Sequence, residues 1–270
     1  MELQYLQAVD VVVSIVTYNS QRDIAGCLQS FAESKNDNCT CKIYIWDNAS
    51  IDDTCEIIEE YVKKYPGYFN LHRSKKNIGF GAAHNRILLP LAATYKVVCN
   101  PDIRVKPETI YNCITFIENH PQCGLISPRV EYPSGEKQYL TKQLPTILDL
   151  FLRRFLFTTS IKYFRDRMER FEMKDLSEEI RYDIAYASGC FMFFPSTIFD
   201  EIHGFDERYF LHMEDADISR EVGLLKQVCY VPSIIVVHDW ERKMHKSLNQ
   251  TICAIESMYK YFLKWGWKWW

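Results

Sequence analysis

Val11-Val12-Val13-Ser14-Ile15-Val16 is an almost unbroken β-branched run that stops at Thr17-Tyr18-Asn19, and the manner of its stopping decides the fold. The pattern repeats twice. Lys42-Ile43-Tyr44-Ile45-Trp46 stops at Asp47-Asn48-Ala49-Ser50, and Tyr95-Lys96-Val97-Val98-Cys99 stops at Asn100-Pro101-Asp102. Buried parallel strands read as continuous apolar runs, and open α/β sheets bind ligands beyond the carboxyl ends of their strands. Between these runs the apolar period becomes helical. Ile24, Cys27, Leu28 and Phe31 mark a helix over about 22–34. Ile57, Ile58 and Tyr61 mark a second, with Ser50 placed to cap it and Pro66-Gly67 to end it. A short strand at 69–72, a helix over 82–91, the strand at 95–99 and a helix between Pro107 and Pro121 continue the alternation. This order predicts an α/β fold with a mostly parallel sheet.

The second half is less regular. Residues 124–132 read as a strand followed by a Pro133-Ser134-Gly135 turn, and 186–194 as a strand interrupted at Ser188-Gly189. Residues 140–183 read as a helical insertion, with Leu148, Phe151, Leu152, Phe155 and Leu156 on one face and Arg153 and Arg154 off it. The segment from about 247 reads as a basic, aromatic helix ending in Trp265-Gly266-Trp267-Lys268-Trp269-Trp270. One domain over 1–270 accommodates all of this, with a first half to about 132 and a second over about 133–246.

Composition narrows the function classes. With 47% hydrophobic and 25% charged residues the chain is that of a folded protein, and a net charge of −3 excludes a general electrostatic nucleic-acid binder. Met1-Glu2-Leu3-Gln4-Tyr5-Leu6 lacks the basic start and apolar core of a signal peptide, so the expected location is cytoplasmic. The ten cysteines include no C-x-x-C pair, which leaves free thiols as the reading rather than zinc or disulfides.

Several polar groups stand at the strand ends. Asp47 is a candidate acceptor for a ligand N–H, or a turn acid; Thr17, Tyr18 and Asn19 border the same place. In Asn77-Ile78-Gly79-Phe80-Gly81 the glycines allow a close backbone approach before a helix N-terminus. Asp102 offers a hard oxygen ligand for a divalent cation, with Asn100 beside it. Glu214, Asp215 and Asp217 open a helical pattern, where Asp217 reads as a cap for 218–225. His238 closes the apolar run Ile234-Ile235-Val236-Val237.

Taken in order, these segments and Gly204-Phe205-Asp206-Glu207-Arg208-Tyr209-Phe210 resemble a family 2 inverting glycosyltransferase of the GT-A fold, most like bacterial rhamnosyltransferases. The similarity runs from about residue 10 to 265. It implies a mixed GT-A sheet and transfer of a sugar from a pyrimidine nucleotide, rhamnose from dTDP-rhamnose or another hexose from a UDP-sugar. Thr17, Tyr18, Asn19, Asp47, Asn77, Gly79, Asn100 and Asp102 would bind the nucleotide, Asp47 through the imide of the base. Asp102 and His238 would hold Mg²⁺ or Mn²⁺, although Asn100 replaces the first acid of the family's usual Asp-x-Asp. Asp215 would be the base that deprotonates the acceptor hydroxyl. Glu214, Gly189 and Cys190 would face the acceptor, a glycan or lipid-linked glycan of bacterial surface polysaccharide synthesis. Arg242, Lys243, His245 and Lys246 would fold over the diphosphate. Basic, aromatic segments at 148–171 and from Arg242 onward suit docking on an anionic membrane surface, at the inner face of the cytoplasmic membrane. The rivals are a sugar-1-phosphate nucleotidyltransferase, for which the glycine-rich loop after the first strand is missing, and a non-catalytic membrane scaffold.

Overall fold

A computed structural model describes residues 9–35, 39–155, 161–239 and 248–270. The first half alternates as expected: β1 (Val9–Thr17), α1 (Ile24–Glu33), β2 (Cys41–Asp47), α2 (Thr54–Lys64), β3 (Phe69–Arg73), α3 (Phe80–Leu88) and β4 (Ala93–Cys99). A short β5 (Ile103–Val105), α4 (Thr109–Asn119), β6 (Cys123–Glu131) and β7 (Lys137–Gln138) follow. Then come α5 (Ile147–Phe155), α6 (Lys162–Phe171), β8 (Phe191–Pro195), α7 (Ser196–Glu201), α8 (Glu214–Leu225), β9 (Gln227–His238) and α9 (Leu248–Trp265).

The sheet runs β3-β2-β1-β4-β8-β6-β9-β5, with β7 beside β6. The first four of these strands are parallel, but β8 pairs antiparallel with β4, and β6 antiparallel with β8. The sheet is therefore mixed rather than mostly parallel. The strand over 186–194 is there as β8, and the mixed sheet is the one the resemblance implies. The local pattern does not reveal the antiparallel pairing, because the partner β4 lies some ninety residues earlier, across the whole insertion. The reversal has a functional result: with Cys99 opposite Phe191, the start of β8 lies against the carboxyl end of β4.

Side-chain alternation divides the core. Val11, Val13, Ile15, Ile43, Ile45, Val97, Phe191 and Phe193 meet Ile24, Leu28 and Phe31 of α1, Ile58 of α2 and Ile110 of α4. Val12, Val98, Met192 and Phe194 face the other way, onto Leu88 of α3, Phe199 of α7 and Ile218 and Val222 of α8. Phe191 and Phe193 are fully buried, so truncating either to alanine would cost about 3–5 kcal/mol.

The insertion contains two helices rather than one. Leu148 and Leu152 of α5 pack on Met168 and Phe171 of α6, whereas Leu150 turns toward Tyr186 and Tyr209, and Phe151 is exposed. The single face read from sequence is thus split; the side chain of Phe155, with Leu156 and the side chain of Arg154, lies outside what is described. On α9, Tyr261 and Phe262 are buried against Tyr209 and Met213. The backbone N–H groups of Ile147 and Leu148 donate to the carbonyls of Lys268 and Trp269, so the last residues close the start of α5. No described helix is long and apolar enough to cross a membrane. All ten cysteines are free thiols.

Candidate active site

The loops after β1 and β2 are sewn together at the carboxyl edge. Asp47 is 2% exposed, and its Oδ1 accepts the hydroxyls of Thr17 (2.9 Å) and Ser50 (2.5 Å), while Oδ2 accepts the Ser50 N–H (2.9 Å). Ser50 is therefore a partner of Asp47 and not the cap of α2. The cap position is Asp53, whose side chain makes no capping bond, while Asp52 Oδ1 accepts the Thr54 N–H at 3.2 Å. Asn19 sits at positive φ, its N–H donating to Ser50 Oγ and its Oδ1 accepting the Ile51 N–H. Thr17 is thus spent on shaping the loop. Tyr18, 54% exposed, and Asn19, also exposed, are the members of the trio that stand in solvent.

Asn48, which sequence reasoning passed over, joins this loop to the next. Its Nδ2 donates to the Gly79 carbonyl (3.1 Å), and its Oδ1 accepts from Ile78 N–H (3.2 Å) and Trp46 Nε1 (3.1 Å). Asn77 Oδ1 accepts the Gly79 N–H at 2.9 Å. Gly79 has φ of 91°, and a Cβ there would lie 2.5 Å from the Phe210 carbonyl oxygen. The backbone that Gly79 admits is the protein's own.

Asp102 and His238 meet because β5 pairs antiparallel with β9, setting Ile103 opposite His238. Asp102 Oδ2 lies 3.2 Å from His238 Nε2. Gln138 fixes the imidazole: its Nε2 donates to the His238 carbonyl (2.8 Å), which leaves its Oε1 to accept from Nδ1 at 2.9 Å. Nδ1 therefore carries a proton, and Nε2 is the nitrogen turned to the carboxylate. Two acceptors facing each other at that distance call for a cation or a second proton between them. Asp102 Oδ1 is buried and has no hydrogen-bond partner among the described residues. This donor set, carboxylate oxygen and imidazole nitrogen with an orphaned oxygen beside it, fits Mg²⁺ or Mn²⁺ with phosphate oxygens completing the shell. Among the described residues no third His, Cys, Asp or Glu joins them. The Asn100 side chain makes no hydrogen bond among the described residues, and its N–H donates to the Cys190 carbonyl at 2.9 Å.

Cys190 and Gly189 connect this corner to the acids of α8. The Gly189 N–H points at Asp215 Oδ2 (3.4 Å), and Tyr186 donates its hydroxyl to Asp215 Oδ1 at 2.9 Å. Asp215 is half-buried at the helix start, whereas Glu214 is 5% exposed with Oε2 unpartnered among the described residues. Burial, and then the neighbouring Asp215 carboxylate, push the Glu214 acid up to about 8. Burial thus favours the protonated form of Glu214, whereas Asp215 is the less buried of the two acids. The Cys190 thiol, pushed up to about 12 by burial, is an inert wall. Asp217 lies inside α8 and does not cap it. Its carboxylate accepts from Tyr209, Lys264 and Trp265 Nε1, the last at 2.6 Å, and so anchors α9. The segment Arg242, Lys243, His245 and Lys246 lies outside the described residues.

Comparison with known proteins agrees with this geometry. The profile described as glycosyl transferase family 2 matches residues 12–202. N-acetylglucosaminyl-diphospho-decaprenol L-rhamnosyltransferase of Mycobacterium tuberculosis is 27% identical over 216 residues, covering 73% of this chain and 66% of that protein. The dTDP-rhamnosyl transferase RfbG of Shigella flexneri is 30% identical over 146 residues, covering 51% of this chain and 49% of its own. This chain therefore spans just under two thirds of the first relative and about half of the second. The mannosyltransferase PcManGT of Pyrobaculum calidifontis, solved in complex with GDP-Man and Mn²⁺, superposes with a TM-score of 0.63 at 15% identity, over 88% of this chain and 59% of that one. At that identity the likeness is one of fold, and the fold is GT-A.

Proposed function

The chain belongs to glycosyl transferase family 2, and from that premise we propose that it is an inverting glycosyltransferase acting on a lipid-linked acceptor of bacterial surface glycan synthesis. One observation carries the reading. Gly189-Cys190 bonds to Asn100 on one side and to Asp215 on the other, so the Asp102–His238 pair and a carboxylate base flank a single strand end. That is the separation of roles an in-line displacement needs: leaving-group charge on one side, proton removal on the other.

In this mechanism Tyr18, Asn77 and the loop held by Asp47 receive the nucleotide, with Asp47 Oδ2 the remaining acceptor for the imide of a pyrimidine. Asp102 Oδ1 and His238 Nε2 would hold the divalent cation, which when bound neutralises the departing diphosphate. Asp215 takes the proton of the acceptor hydroxyl as that oxygen attacks the anomeric carbon. Tyr186 and the Gly189 amide hold the carboxylate in orientation. Protonated Glu214 donates to the acceptor. The donor we favour is dTDP-rhamnose, since both relatives are named for rhamnosyl transfer and RfbG for dTDP, with a UDP-hexose as the alternative.

The same reading places the enzyme at the inner face of the cytoplasmic membrane. Ile252, Ile255, Tyr259 and Leu263 form an exposed stripe on one face of α9, continued by exposed Trp267, Trp269 and Trp270 and interleaved with Lys260 and Lys268. Such a face suits a lipid interface. Trp265 does not belong to it, because it packs inward on Asp217 and under Arg220. Calorimetric titration with dTDP, UDP and GDP, each with Mn²⁺ and with chelator, tests the donor side. Metal-dependent binding of dTDP or UDP is expected, and no binding of any of the three by folded protein would remove the reading.

A further inference from the structure

Two cations in the insertion have no role in the mechanism above. Lys142, just after β7, is 3% exposed, yet its ammonium has no hydrogen bond or ion pair with a carboxylate among the described residues. It lies 4.4 Å from the centre of the Tyr186 ring, and its backbone N–H is bonded to the Tyr186 carbonyl at 2.9 Å. Tyr186 is the residue whose hydroxyl holds Asp215, so Lys142 lies behind the base, against the same ring. Arg153 of α5 is the second cation. It too makes no ion pair among the described residues, and it is close enough to act electrostatically on both Lys142 and Tyr186.

Buried charges in folded proteins are paired with opposite charges. Here α5, whose Leu150 packs on Tyr186, carries a second cation, Arg153, one turn further on. The carboxylates of Asp215 and Glu172 attract Lys142 from a distance, but neither bonds it. Burial first, and then repulsion by Arg153, push the Lys142 ammonium down to about 7, so the neighbouring acids do not compensate what desolvation and repulsion cost it. An anion bound from outside would hold Lys142 in the charged form that burial otherwise disfavours. Cys190 and Tyr186 confine the space around Lys142, and Phe151 is exposed on the same helix as Arg153.

We propose that Lys142 and Arg153 form the seat for a phosphate group carried by the acceptor, holding it beside Asp215 so that the sugar hydroxyl meets the base. The proposal rests on the transferase reading above, under which a lipid-linked acceptor has a phosphate next to its sugar. It assigns this anion site to the acceptor and leaves the donor diphosphate to the Asp102–His238 corner.

The test uses the full chain saturated with the nucleoside diphosphate that binds it, in Mg²⁺, titrated with geranyl phosphate and with geraniol as the phosphate-free match. Wild type should bind geranyl phosphate at least ~10-fold more tightly than geraniol. Lys142→Met and Arg153→Gln should each lose about that factor, Arg153→Lys should recover part of it, and nucleotide affinity should stay unchanged in all three. Unchanged nucleotide affinity also certifies that the variants fold. Equal affinity of wild type for the two probes would overturn the proposal. So would variants that lose nucleotide affinity while still distinguishing the probes, since the cations would then belong to the donor diphosphate. Absence of nucleotide binding by folded wild type would instead overturn the transferase reading beneath it.

Discussion

The hydroxyl of Tyr186 donates to Asp215 Oδ1 at 2.9 Å, a bond between residues 29 positions apart that holds one carboxylate oxygen and leaves Oδ2 toward the Gly189 amide. The proposed base is therefore oriented by residues 186–189, the stretch between the insertion and β8, and not by the loops after β1 and β2.

Asp215→Asn keeps the shape and an acceptor for the Tyr186 hydroxyl, but it sets an amide N–H₂ against the Gly189 N–H and removes the proton acceptor. Turnover should fall by roughly 10²–10⁴-fold with nucleotide affinity unchanged. Steady-state rates with calorimetric Kd values check this, and a variant that turned over normally would strip Asp215 of its role.

Glu214 makes stability depend on pH. Its acid is raised in the folded state to about 8 from an ordinary 4.5, so between those values the native protein holds a proton that the unfolded chain has released. The contribution is fully present below 4.5 and is lost as pH rises to 8, with a slope of up to ~1.4 kcal/mol per pH unit. Urea unfolding at pH 5 and pH 8 should show wild type losing more stability than Glu214→Gln over that interval. Parallel losses in the two proteins would contradict the assignment.

Gln138 touches no ligand, yet it decides which nitrogen of His238 is exposed to a cation. Gln138→Ala frees the imidazole to turn and change tautomer. Mn²⁺ affinity in the presence of nucleotide should drop by roughly 10–100-fold, read by electron paramagnetic resonance of the free ion. Wild-type affinity in that variant would mean that the ring is held by other means.

Asp47→Ala leaves the Thr17 hydroxyl and both Ser50 donors without their acceptor. A loss of about 3 kcal/mol in unfolding free energy is expected, together with nucleotide binding weaker by about 10-fold. If stability fell while nucleotide affinity held, Asp47 would be a loop brace alone.

The exposed stripe of α9 predicts sedimentation of the chain with anionic vesicles. Tyr259→Ser with Leu263→Ser should reduce the bound fraction several-fold without changing nucleotide affinity, because neither side chain is buried in the fold. No sedimentation of the intact chain would dismiss the interface.

Much of this was legible beforehand, and the limits have physical causes. Strands β1, β2 and β4 announce themselves because both faces are buried and their exits are polar. Asp47, Asp102 and Asp215 stand out because carboxylates at element ends are few. Gln138, Tyr186, Asn48 and Lys142 do not stand out. Each acts through a partner far along the chain, as Gln138 does with His238 a hundred residues on, and no local pattern encodes such a pairing. Asp217 and Ser50 were misassigned for a related reason: both are good capping residues locally, and tertiary partners claim them instead.

The close approach of Gly79 to Phe210 carries a kinetic consequence. Phe80 N–H donates to the Phe210 carbonyl at 2.9 Å, and Asn85 of α3 exchanges two hydrogen bonds with the backbone of Phe205. The loop that would greet the donor and the stretch that leads into Glu214-Asp215 are thus one mechanical piece, with no slack for either to shift alone. A nucleotide settling against 77–81, as proposed, would be felt at the entrance of α8 before any acceptor arrives. Initial-rate patterns should accordingly show compulsory order, donor first and nucleoside diphosphate last to depart.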